Sequence, residues 1–382
     1  MVKMDGMAQI DRLEAFLRQD PENPALACDL ADALLVIGRS DRALAVLVGL
    51  PPEIRRRPNV RFREGRCALM EGRLSDAAAL LESLENTDVD APVLRHDLAF
   101  VQLALGRTDA AMAALEPALS DPGAPAAVHI LHARILHWQG NYIAGLQAID
   151  KVLSMVPNNA EARGVRALLW LDKGDVEAAR AAAQQALALD ASQTEAAIVS
   201  GTLALWEQRP AEAEAAFMKA LSRDPHSGRA LLGRGQVQLL RGELDAAQAT
   251  LARAVELMPG HIGSWHALAW CQLLLGDLAG ARSSYERALA LDRSFGETHG
   301  GLAILHALRG ETAQAEDEIK RAQRLDPRGR SAVYARSLLL LAQGREDEVR
   351  RLVAPLLAAT PGASTTDPIA FLERLRAQMQ RG

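Results

Sequence analysis

Cysteine is nearly absent: 382 residues carry three, Cys28, Cys67 and Cys271, far apart and odd in number. That excludes a disulfide framework and fits a reducing, cytoplasmic compartment. Aromatic residues make up only 4%, too few to interleave with basic side chains in a nucleic-acid surface. Neither sign of charge dominates, because 43 basic and 48 acidic residues leave a net charge of −5. Neither nucleic acid nor an anionic membrane is implied by that balance. No apolar run approaches the length of a membrane span, and the segment from Met1 to Gln9 holds one lysine and no apolar stretch. A signal peptide, a lipid anchor and membrane insertion are therefore not expected. No Ser-His-Asp logic, phosphate loop or paired-carboxylate motif is legible either, so no catalytic residue and no cofactor is assigned. The abundance of alanine and arginine suggests GC-rich coding and a bacterial source.

What is present is a period. Glycine recurs at Gly38, Gly72, Gly106, Gly140, Gly174, Gly242, Gly276, Gly310 and Gly344, at intervals of 34 residues. One interval is 68, and there Gln208 holds the missing place; a tolerated substitution is the simplest reading of it. Seven residues before each beat the side chain is small: Ala31, Gly65, Ala99, Ala133, Ala167, Gly201, Gly235, Ala269, Ala303 and Ser337. Five after it stands alanine or Gly145, with Val349 the exception, and twelve after it alanine recurs in six units. Small residues at fixed phases let antiparallel helices approach closely. Glycine suits the turn between them because a helix often ends in a left-handed residue. Pro157, Pro225, Pro259, Pro327 and Pro361, seventeen after the beat, close the second helix.

A helix-turn-helix unit of this length, with small residues at three phases and a closing proline, resembles the tetratricopeptide repeat; Ala160 to Gln193 and Gly228 to His261 show it well. The family's early tryptophan survives only as Trp265, and its usual tyrosine phase is mostly filled by other residues. The resemblance implies an all-α, right-handed superhelical solenoid of about ten repeats over residues 24–363. Residues 1–8 are expected to be a mobile tail and 9–23 a half-repeat helix, with Ile10, Leu13, Phe16 and Leu17 on one stripe. After Pro361-Gly362, residues 364–382 are expected to form a capping helix whose stripe is Phe371, Leu375 and Met379.

The resemblance also implies that first helices line a concave groove, onto which helical spacing projects one set of residues from each unit. The candidate partner-binding residues are Phe62, Arg66, Phe100, Arg134, Trp138, Asp172, Trp206, Gln236, His266, Trp270 and Tyr334. The tryptophans can anchor a partner or pack between neighbouring first helices as core. The leucines three before the beat, Leu205, Leu239 and Leu273 among them, are expected in the core. Two binding modes of the family fail on this face. It holds Cys28, Phe62, His96, Ile130, Gly164 and Ile198 where clamps for acidic tails place lysine and asparagine, and no asparagine stands nine before any beat. Arg55, Arg56, Arg57, Arg61 and Arg63 form a basic patch that could receive an acidic peptide or phosphate. A solvated face paired with nearby acids is the favoured reading of it. His129, His132 and His137 share one helix, but His137 points elsewhere and no metal site is expected.

The function that follows is a non-catalytic protein–protein interaction scaffold that holds a peptide or helix of a partner protein in its groove. The alternative is a regulatory or assembly subunit that binds an enzyme or multiprotein complex through its outer face or ends.

Overall fold

The computed structural model describes residues 2–85, 87, 89, 91–121, 123–358 and 367–380, with side chains for all of these except 2–6, 91, 356–358 and 371. Pro361, Gly362 and the side chain of Phe371 lie outside the described residues. Every regular element described is an α-helix. The chain divides into two units, Met1–Ala191 and Ser192–Gly382, each holding five helix pairs.

In the first unit α1 (Val2–Gln19) precedes the pairs α2 (Pro24–Val36) and α3 (Ser40–Val48), then, after the short α4 (Pro52–Arg55), α5 (Pro58–Met70) and α6 (Leu74–Glu82). The remaining pairs are α7 (Ala91–Ala104) with α8 (Thr108–Leu119), α9 (Ala126–Trp138) with α10 (Tyr142–Met155), and α11 (Ala160–Lys173) with α12 (Val176–Leu189). Helix α1 begins at Val2 and not near Ile10, because nothing before Pro21 is a proline and only Gly6 weakens the segment. Its Ile10 is buried among Leu30, Leu34 and Leu47, and Leu13 and Leu17 join them. Phe16, expected on the same stripe, stays exposed.

The second unit pairs α13 (Thr194–Trp206) with α14 (Pro210–Arg223), α15 (Gly228–Leu240) with α16 (Leu244–Leu257), and α17 (Ile262–Leu275) with α18 (Leu278–Leu291). It continues with α19 (Gly296–Leu308) and α20 (Thr312–Leu325), then α21 (Arg330–Ala342) and α22 (Glu346–Ala358), and ends in α23 (Pro368–Met379). Besides packing within its pair, a first helix meets the next first helix, as α13 meets α15 and α15 meets α17. First helices α13, α15 and α17 therefore form one layer, and α19 and α21 pack together likewise.

The glycine period has a single physical cause. All nine beat glycines have φ between 71° and 90°, and Gln208 at 56° is the one non-glycine with positive φ among the described residues. At each of the ten places two bonds close the first helix: Gly38 N–H donates to the Leu35 carbonyl and Arg39 N–H to that of Leu34, and Gln208 and Arg209 do the same to Leu205 and Ala204. This pattern satisfies helix-end carbonyls through a left-handed residue. The small phases are equally literal. Ala31, Ala99, Ala269, Ala43, Ala111 and Ala281 are fully buried, and the two alanines of each repeat share one core cluster. Where glycine replaces alanine a large side chain has taken the space: a Cβ on Gly235 would lie 2.6 Å from Leu251, and one on Gly201 2.8 Å from Phe217.

Candidate functional site

In the first unit most of the candidate residues are already engaged. Phe62 is 5% exposed, packed with Leu81 and Leu98 under the Arg66 guanidinium at 5.8 Å. It is core and not groove surface, because the small residues of α6 leave room for an aromatic ring to turn inward. Arg66 bridges Asp32 of α2 at 3.7 Å and Asp97 of α7 at 3.3 Å. Arg134 pairs with Glu161 at 2.8 Å, and Asp172 lies 2.6 Å from His137 Nε2. These charges hold neighbouring first helices in register. Phe100 and Trp138 remain 40% and 50% exposed. In the basic patch Arg55 is paired with Glu64, and Arg63 with Asp32 at 2.6 Å; Arg56 and Arg57 are exposed.

The second unit brings its candidates together. The first helices α13, α15 and α17 surround a cleft of about 810 Å³ lined by Trp206, Gln236, His266 and Trp270 with Leu205, Leu239, Leu240, Leu274, Gln208, Pro210 and Tyr285. Trp206 is 58% exposed and Leu240 63%. Trp270 is half-buried and meets Tyr334 edge-on, ring centroids 6.0 Å apart. The remaining lining residues are Gly263, Ala267 and Ser331; none of the whole set is Asp, Glu, Lys or Arg.

His266 keeps the cleft uncharged. Its ring stands edge-on to Tyr285 at 5.3 Å and to Phe295 at 5.1 Å, and Nε2 lies 2.7 Å from the buried Thr298 hydroxyl. Burial pushes its pKa down to about 4, against a smaller upward pull from Glu297. It is therefore a neutral imidazole at pH 7. A surface of this kind, apolar and aromatic with a few orienting polar groups, suits the uncharged face of a ligand and penalises an inserted charge.

Reading the phases missed part of this lining. Leu205 and Leu239, expected in the core, do pack against it, but they are half-buried and also line the cleft. Tyr285 reaches it from a second helix, which no first-helix pattern foretells. Gln208, read from the sequence as a tolerated break in the beat, also lines the cleft with Trp206.

Comparison with known proteins gives the fold a context. Family models described as tetratricopeptide repeat match residues 10–62, 68–135, 204–271 and 272–339 in one case and 130–194 in another. A search of curated proteins finds no match. Among solved structures, an IFIT1 monomeric mutant with Gppp-AAAA aligns at 15% identity and a TM-score of 0.55, covering 98% of this chain and 95% of that one. The Cut9–Hcn1 hetero-tetramer of the APC/C aligns at 14% identity and TM-score 0.47, over 100% of this chain and 93% of that one. YrrB, a TPR protein with an unusual peptide-binding site, aligns at 22% identity and TM-score 0.38, over 50% of this chain and 98% of its own. At 15% identity the likeness to the IFIT1 structure is one of fold alone.

Proposed function

The chain belongs to the tetratricopeptide repeat family, and from that premise we propose that it is a non-catalytic scaffold whose second unit seats a peptide or helix of a partner protein. Proteins of this family generally bind other proteins. The observation that carries the reading is the uncharged cleft on the first helices, with Trp206 more than half exposed in it. Large apolar side chains held open to solvent by a rigid frame lose little entropy on binding and are the usual anchors of an interface. A cytoplasmic setting belongs to the same proposal and is supported by three cysteines that are buried and unbridged.

Affinity capture from the native organism tests this. Trp206→Ala, which removes a mostly exposed ring, should reduce retention of the partner by about tenfold or more, the scale of an interface anchor, while the melting curve stays put. The alternative, docking through the outer face, is favoured by Leu257, Leu291 and Leu325, which stand at one phase of their second helices and are all exposed. Retention that survives Trp206→Ala and is lost with Leu291→Asp would replace the cleft reading by that one.

A further inference from the structure

Helix α23 shows what kind of segment the inner face of the second unit accepts. Besides packing on α22, it crosses to the first helices α17 and α21. Met379 is fully buried in a cluster with Leu273 of α17, Leu302 and Leu308 of α19 and Leu338 of α21, and Leu375 packs against that cluster. Its sulfur lies 3.9 Å from the Tyr334 hydroxyl, and Gln380 Nε2 donates to the Leu308 carbonyl at 3.3 Å. Nearer its start, Leu372 is buried with Leu340, Val349 and Val353, and Ile369 is buried too. Ile369, Leu372, Leu375 and Met379 recur at helical spacing, so α23 lays one uncharged aliphatic stripe on the face. Glu373, Arg374 and Ala377 point to solvent.

The seat of α23 and the open cleft are continuous. Trp270 and Tyr285 line the cleft and also belong to, or pack against, the cluster that encloses Met379. A helix already rests on one end of an apolar surface whose other end, at Trp206 and Leu240, is open.

We propose that the partner contributes an amphipathic helix with an aliphatic stripe spaced like that of α23, and that α23 is an internal occupant which this helix displaces from Trp270 onward. The proposal rests on the groove reading for the face concerned, and it adds the chemistry of the occupant. A partner segment that is acidic, extended or proline-rich fits neither the uncharged lining nor the seated precedent.

The test is a titration of the full chain against a fluorescent synthetic peptide of residues 367–382, followed by anisotropy. The double variant Leu372→Asp/Met379→Asp, which undocks α23 and leaves the seat intact, should bind the peptide at least tenfold more tightly than the wild-type chain. Adding Trp270→Ala to it should weaken that binding. Equal affinity for the two chains, or no binding to a double variant that keeps its helical circular dichroism, overturns the proposal. Should the double variant fail to fold, hydrogen exchange on the wild-type chain decides. Excess isotope-labelled peptide should strip protection from the α23 amides and leave those of α17 and α19 protected, and α23 protection that is unchanged at saturating peptide overturns the proposal. No native partner enters either measurement, so the occupant's chemistry is tested separately from the capture by Trp206.

Discussion

Gln208 carries a cost that its nine counterparts avoid. A side chain in the left-handed region brings Cβ against the following carbonyl and costs on the order of 1 kcal/mol relative to glycine, and Gln208 is the one non-glycine in that region among the described residues. It lines the cleft beside Trp206, where strain is commonly retained because the side chain serves a purpose. Gln208→Gly should raise the stability of the second unit by about 1 kcal/mol, measured as an upward shift of its urea midpoint. No change, or a loss, would mean the turn is relaxed around glutamine. The break in the beat was visible in the sequence; that it sits at a cleft was not, because Leu239, Gln236 and Trp270 approach it from helices far apart along the chain.

At the scale of the element, pairing within each repeat depends on space left by small residues. Phe217 of α14 fills a slot between α13 and α15, where a Cβ on Gly233 would lie 2.2 Å from its ring and one on Gly201 2.8 Å. Alanine is the better helix former by roughly 0.5–1 kcal/mol, but overpacking a tight core costs about 1–3 kcal/mol. Gly233→Ala should therefore lower the unfolding midpoint of the second unit, and adding Phe217→Leu should recover part of the loss. A Gly233→Ala chain as stable as the wild type would show that the slot is loose. These contacts were legible as phases, since a period in residue size follows directly from a period in helix packing. What the phases left open was the neighbour of each glycine, because Phe217 and Tyr285 stand where most units have leucine or a smaller residue. The same limit explains Phe62, which was read as groove and is core. Its ring packs with Ala77, Ala78 and Leu81 of α6, contacts that a helical phase alone does not give.

Across the molecule, the family and the helix-pair architecture follow from the period, whereas the site follows from departures from it. Trp206, Trp270 and Tyr334 were picked out by helical spacing, and two of the three line the cleft. The first unit engages its charged candidates, Arg66, Arg134 and Asp172, in polar pairs between helices, which spacing alone does not separate from a binding face. The seat of α23 was unreadable, because it joins Met379 to Leu308 and Leu273 across intervening repeats. The central claim is that the cleft of the second unit is where a partner helix docks. Site-specific photocrosslinking in the native organism tests it most directly, with benzoylphenylalanine at Leu240 in the cleft and, separately, at Leu291 on a second helix. The expected result is an adduct from Leu240 that maps to an amphipathic helical segment of one partner and is absent from Leu291. Adducts formed from Leu291 and never from Leu240 would contradict it.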